Sequence, residues 1–194
     1  MLKPIDCTAL EEHIRSLESP HRTEHSVSVG KTNVLLARKF NVPFPTDQLV
    51  CCGLLHDMCR EWDEGKLVAY AEEHHLPLEP EEKGNPVLLH APVAADIALS
   101  EGYGKAIATA IRWHTLGSVT MGKLGEIVFI SDYLEPLRTH INEEERQSLL
   151  AHATLDEVCL AVLAMQDAYF VKKGRKNAGT TETLEKYLRE GKRL

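Results

Sequence analysis

Six side chains of this 194-residue chain stand where ordinary core packing does not want them. His25, His56, His90 and His114 each lie near the middle or end of an apolar helical stretch, and so do Asp57 and Asp132. A carboxylate on a mostly apolar helix is costly unless it is paired or bound to a metal. One such residue is ordinary, whereas six imply a shared partner. Imidazole with carboxylate is a donor set suited to iron, manganese or zinc. Two metals held close together would polarise a phosphoryl group and generate hydroxide from water near neutral pH. The adjacent pair in "LLHDMCR" constrains the arrangement, because neighbours on a helix point about 100° apart. Either His56 and Asp57 reach one metal from a helix end, or Asp57 lies between two metals with one oxygen on each.

Those side chains need a rigid frame, and helix signals dominate the chain. Asp6 is expected to cap a first helix to about Leu17, and Pro20 to open a second that reaches Phe40. "NVPFPTD" breaks it, and Asp47 is the expected cap of a third helix through Leu55. Asp63 caps a fourth. Asn85 followed by Pro86 starts a fifth that ends near "SEGYG". Further helices are expected at about 105–115, 123–134, 143–152, Leu155 to Lys172, and from Thr181. The one strand-like run, "EIVFI", fits a buried helix better once Leu124 and Leu134 are included. With no repeat and no linker, residues 1–194 read as a single all-α domain, an orthogonal helical bundle.

Composition narrows the partners. At 43% hydrophobic residues the chain can bury a sizeable core. A formal net charge of −7 repels nucleic-acid backbone and gives no general reason to bind membranes. A metal cluster can still invert the field inside one cleft and admit a small anion. The five cysteines form no CxxC pair, and Cys51, Cys52 and Cys59 read as reduced core residues. The N-terminus lacks an apolar leader and no run is long enough to cross a bilayer, so a cytoplasmic location is expected.

The order H…HD…D, as His25, His56-Asp57 and Asp132, resembles the HD phosphohydrolase superfamily, and His90 and His114 match its two-metal subset. The strings "HRTEHSVSV", "GLLHDMCRE", "LLHAPVAA", "AIRWHTLG" and "ISDYLEPLR" resemble the successive motifs of the YqeK-type family, across about residues 21–170. The resemblance implies an HD-type helical bundle and symmetrical hydrolysis of diadenosine tetraphosphate to two ADP, with iron at the site, or manganese or another divalent ion. It implies that His25, His56, Asp57 and Asp132 hold one metal and that Asp57 bridges to a second completed by His90 and His114. His56 and Asp57 then carry the catalytic role, and a hydroxide attacks phosphorus. It also implies a nucleotide as partner and a homodimer at family level. Two other readings stay open: the same chemistry on another nucleotide or phosphate ester, or a silent nucleotide-binding module.

Phosphate contacts are expected from Arg22, Arg60 and Arg138, with Thr115 bonding substrate. Arg60 stands where the superfamily often has lysine, and arginine can grip phosphate bidentately. The bland alternatives are surface ion pairs for the arginines and local capping for the threonine. His13, His21, His74, His75, His140 and His152 fall in polar stretches and read as solvated. Trp62 and Trp113 read as core packing near the cleft.

Overall fold

A computed structural model describes residues 2–194, and among these every regular element is a helix. In chain order they are α1 (Cys7–Leu17), α2 (Pro20–Lys39), α3 (Thr46–Leu55), α4 (Glu64–Glu73), α5 (Pro80–Gly84), a 3-10 turn (Pro86–Leu89), α6 (His90–Ser100), α7 (Lys105–Trp113), α8 (Gly122–Leu134), α9 (Glu143–Leu150), α10 (Leu155–Lys172) and α11 (Gly179–Arg189). The all-α expectation holds.

The helix starts follow local chemistry. The Asp6 carboxylate accepts the Thr8 and Ala9 N–H groups, both at 3.1 Å, satisfying two of the orphan donors at the mouth of α1. Ser19 and Pro20 open α2, and Asp63 opens α4. Asn142 with Glu145, and Thr154 with Glu157, form reciprocal capping boxes on α9 and α10. Two expectations need correction. Helix α3 begins one residue before Asp47, with Pro45 at the cap position, so Asp47 sits inside the first turn and favours the positive end of the helix dipole. Residues 86–89 form a 3-10 turn, with Asn85 making no side-chain cap, and α6 proper begins at His90. The preceding "EPEEKG" segment forms the short α5, which the sequence reading left out.

The buried apolar side chains form one cluster, with Ile14, Leu54, Ile111, Phe129, Ile130 and Leu163 among its fully buried members. Helices α2 and α3 pack most extensively, α6 and α7 next, and α8 lies against α2, α7 and α10. Glycine makes the first of these contacts. A Cβ on Gly53 would lie 2.2 Å from the Gly30 nitrogen and 2.3 Å from its Cα. The two backbones touch there because neither residue carries a side chain. That contact fixes α2, carrying His25, against α3, which ends at His56.

Candidate metal centre

Helix ends deliver three of the four histidines. His56 caps the C-terminus of α3, His114 caps the C-terminus of α7, and His90 is the first residue of α6. Each donates its Nδ1–H to the carbonyl three residues earlier: His56 to Gly53 at 2.7 Å, His90 to Val87 at 2.6 Å, His114 to Ile111 at 2.7 Å. A carbonyl can only accept, so the bond fixes the tautomer and leaves Nε2 with its lone pair facing inward. His25 sits inside α2, and its Nδ1 donates to the Glu135 carboxylate at 3.0 Å. Glu135 is buried, just beyond the C-terminus of α8.

The four Nε2 atoms converge in two pairs, His25 with His56 and His90 with His114, each at 3.2 Å. Asp57 stands between the pairs with its oxygens divided. Oδ2 lies 3.6 Å from both His25 and His56 Nε2. Oδ1 lies 3.3 Å from His90 and 3.5 Å from His114. Asp132 Oδ1 joins the first pair, 3.0 Å from His25 and 3.7 Å from His56. His25, His56, Asp57, His90 and His114 are buried, and Asp132 is partly exposed at the rim.

Electrostatics follow from this crowding. Burial opposes charge on Asp57, but the imidazoles of His56, His114 and His90 outweigh it and hold the carboxyl well below its usual range. Burial likewise opposes charge on Asp132, and its bonds to His25 and His56 prevail. Burial pushes the His90 imidazole down to about 4, so that ring stays neutral near pH 7. At His25 burial acts downward, but bonds to Asp132 and Glu135 win and its pKa is raised.

The donor set fits divalent metal. Four imidazole Nε2 atoms converge on one another and on two carboxylates, a nitrogen and oxygen donor set of the kind that binds divalent ions. His25, His56 and Asp132 offer three ligand atoms within 4.8 Å of one another, as do His56, Asp57 and His114, so either group can hold an ion. The Nδ1 partners orient the rings from behind, as outer-shell acceptors do for metal-bound histidine.

Positive side chains lie on the same carboxylates. Arg22 Nη1 reaches Asp57 Oδ2 at 2.6 Å. Arg138 pairs with Asp132 Oδ1, donates Nε–H to the Asp132 carbonyl at 2.7 Å, and brings Nη2 to 3.3 Å from His25 Nε2. Thr115 Oγ1 lies 3.0 Å from His114 Nε2 and 3.4 Å from His90 Nε2. Arg60 differs. Its backbone N–H closes the turn onto the Asp57 carbonyl at 2.7 Å, and its guanidinium makes no hydrogen bond or ion pair among the described residues. The structure thus brings Arg22, Thr115 and Arg138 to the cluster and leaves Arg60 half-buried beside it.

The family model for the HD domain matches residues 22–137, more than half of the chain. The chain belongs to the HD domain family. Two curated relatives are named symmetrical bis(5'-nucleosyl)-tetraphosphatase. The one from Staphylococcus aureus is 35% identical over 121 residues, 61% of this chain and 60% of that protein. The one from Bacillus subtilis is 26% identical over 157 residues, 80% of this chain and 82% of that protein. A solved structure from Clostridium acetobutylicum, described as a predicted HD superfamily hydrolase involved in NAD metabolism, superposes with a TM-score of 0.84. It covers 96% of this chain and 98% of its own at 24% identity, and so shares the fold.

Sequence reasoning missed Glu135, although it stands three residues after Asp132 inside "DYLEPLR". A third acid at helical spacing in an apolar stretch was the available signal. The six histidines read as solvated are all exposed, though His74 stacks on Tyr70 at 3.9 Å and pairs with Asp96 at 2.9 Å. All five cysteines are free, with Cys51, Cys52, Cys59 and Cys159 buried. Trp62 and Trp113 pack, half-buried, against the core. No helix of the described residues is long and apolar enough to cross a membrane.

Proposed function

We propose that the chain is a metal-dependent hydrolase that cleaves diadenosine tetraphosphate symmetrically into two ADP. The observation that carries this reading is the division of Asp57, with one carboxylate oxygen toward each histidine pair. His25, His56, Asp132 and Asp57 Oδ2 would hold one metal, and Asp57 Oδ1, His90 and His114 a second, with iron the leading candidate and manganese or another divalent ion next. Bound metal supplies a Lewis acid for a phosphoryl oxygen and a water acidic enough to ionise near neutral pH.

The chain's own residues do the rest. Glu135 and the three main-chain carbonyls accept from Nδ1 and hold each imidazole with Nε2 inward. Arg22 and Arg138, already at the carboxylates, offer fork-shaped donors that match phosphate oxygens bidentately and offset the negative charge of four phosphates. Thr115, beside the second pair, is placed to hydrogen-bond a phosphate oxygen. Burial of the ligands excludes bulk water and strengthens each of these interactions. In the overall reaction a water oxygen joins one of the two middle phosphorus atoms, the bridging P–O bond breaks, and ADP leaves. The names of the curated relatives support this substrate.

The test is metal analysis of protein purified without chelator or histidine tag, with product analysis on the same sample. About two metals per chain with ADP as sole nucleotide product is the expected result. Metal without ADP discards the substrate, and parallel assays of deoxynucleoside triphosphates and cyclic dinucleotides then identify the alternative. No metal, and no activity on adding it, discards the centre.

A further inference from the structure

A cavity of about 450 Å³ opens beside the centre, lined by Tyr133, His140, Met165, Gln166, Tyr169 and Phe170. The chain ties it to the ligands. Asp132 faces the histidines and Tyr133, the next residue of α8, turns about 100° away into the cavity wall. Arg138 lies on Asp132, and His140, two residues on, lies against the Tyr133 ring with centroids 4.6 Å apart. One helix end and the turn after it therefore serve both places. Asp132 and Arg138 present charge to the centre, and Tyr133 and His140 present flat rings to the cavity.

The opposite wall is one face of α10, with Met165, Gln166, Tyr169 and Phe170 at spacings that bring them together on a helix. Tyr169 is 57% exposed, a large ring left without a full packing partner. No lysine, arginine or carboxylate lines the cavity, so it is not a second phosphate site. Its volume falls in the usual range for small-molecule pockets, and aromatic rings, a thioether and one carboxamide suit a flat heteroaromatic ring with an edge to read. A second cavity, beside Trp113, measures about 220 Å³, and its Arg112 is committed to Glu82 at 2.5 Å.

We propose that this cavity is a nucleobase subsite, seating one purine of the substrate between Tyr133 and the α10 rings while the phosphates reach Asp132 and Arg138. This rests on the function proposed above and adds where the nucleoside goes and which residues select it.

The test is calorimetric titration of the metal-loaded protein with ADP and, separately, inorganic pyrophosphate, in the parent, Tyr169→Ala and Tyr169→Phe. Tyr169→Ala is expected to weaken ADP roughly tenfold, the usual scale of one base–aromatic stack, and to change pyrophosphate less than twofold. Tyr169→Phe, which keeps the ring, is expected to hold ADP within twofold, and the exposed position predicts an unchanged melting temperature for both. In turnover, Tyr169→Ala raises KM for the dinucleotide more than it lowers kcat. Unchanged ADP affinity in Tyr169→Ala, or equal losses for ADP and pyrophosphate, overturns the subsite while leaving the proposed function standing. A parent protein that neither binds ADP nor cleaves the dinucleotide overturns both.

Discussion

Replacing Gly53 by alanine adds one methyl group where two helix backbones already touch. The new carbon would lie 2.2 Å from the Gly30 nitrogen, short of the closest ordinary contact of 3.4 Å by about 1.2 Å. The atoms in the way are backbone, so no rotamer change relieves the clash and α2 must move from α3. Overpacking of this kind costs about 3 kcal/mol, the upper end for added methyl groups. Alanine's better helix propensity returns about 1 kcal/mol, leaving a net loss of about 2 kcal/mol. For a chain of this size that lowers the melting temperature by roughly 4–8 °C. The same displacement separates His25 from His56, whose Nε2 atoms are 3.2 Å apart, while metal–ligand distances tolerate only about 0.2 Å. Gly53→Ala is therefore expected to lose metal as well as stability. Scanning calorimetry and elemental analysis on one preparation read both, with Gly84→Ala as control, since a Cβ there meets nothing within 4 Å. A Gly53→Ala protein with parental melting temperature and metal content would refute both the packing argument and its link to the site.

Asp57→Asn keeps the shape but gives up the charge shared by the two histidine pairs; at least a hundredfold loss of turnover is expected, with the helical circular-dichroism spectrum retained. Glu135→Gln leaves an acceptor for His25 but removes the negative charge behind it, and metal affinity measured by competition with a chromophoric chelator should fall about 10- to 100-fold. Removing metal with a chelator should abolish activity and lower the melting temperature, both returning when metal is restored, because an ion bound only by the folded state stabilises it. Burial pushes the Glu126 carboxyl up to about 7 from 4.5, with Lys123 opposing. The folded protein thus holds a proton there that the unfolded chain has lost, and stability falls as pH rises from 4.5 to 7. Glu126→Gln removes this slope, so urea titrations should show the variant gaining on the parent across that window by up to about 3 kcal/mol, and parallel curves would contradict the burial argument.

Legibility differed by the range of the cause. Caps such as Asp6 and Asp63 act on amides two or three residues away, and they were readable. Pro45 rather than Asp47 takes the cap position, and a small shift of that kind turns on backbone angles. The six clustered residues were readable because polar side chains on apolar helices carry a cost that demands a partner, and because the motif order resembles a family. The pairing of Gly30 with Gly53 was not readable. A glycine inside a helical pattern signals close approach without saying to what, and these two stand 23 positions apart. Arg60 in "HDMCR" is expected to contact phosphate, and the sequence sets its nearness to the ligands, while the direction of its flexible side chain is set by neighbours that tertiary packing brings in.

The carbonyl-anchored histidines have a bearing on how such a centre can be built. For His56, His90 and His114 the acceptor is three residues upstream on the same turn. Each is a self-contained cassette of four residues, able to aim its donor nitrogen wherever its helix end is set down. Such cassettes are portable, and one grafted onto the end of another helix should arrive with its tautomer already chosen. His25 is wired differently, because its orienting partner lies 110 positions away, just past the C-terminus of α8. It is the member whose aim depends on assembly of the whole bundle. During unfolding its orientation should be lost as soon as α2 and the end of α8 part, while the other three keep theirs until their own turns fray.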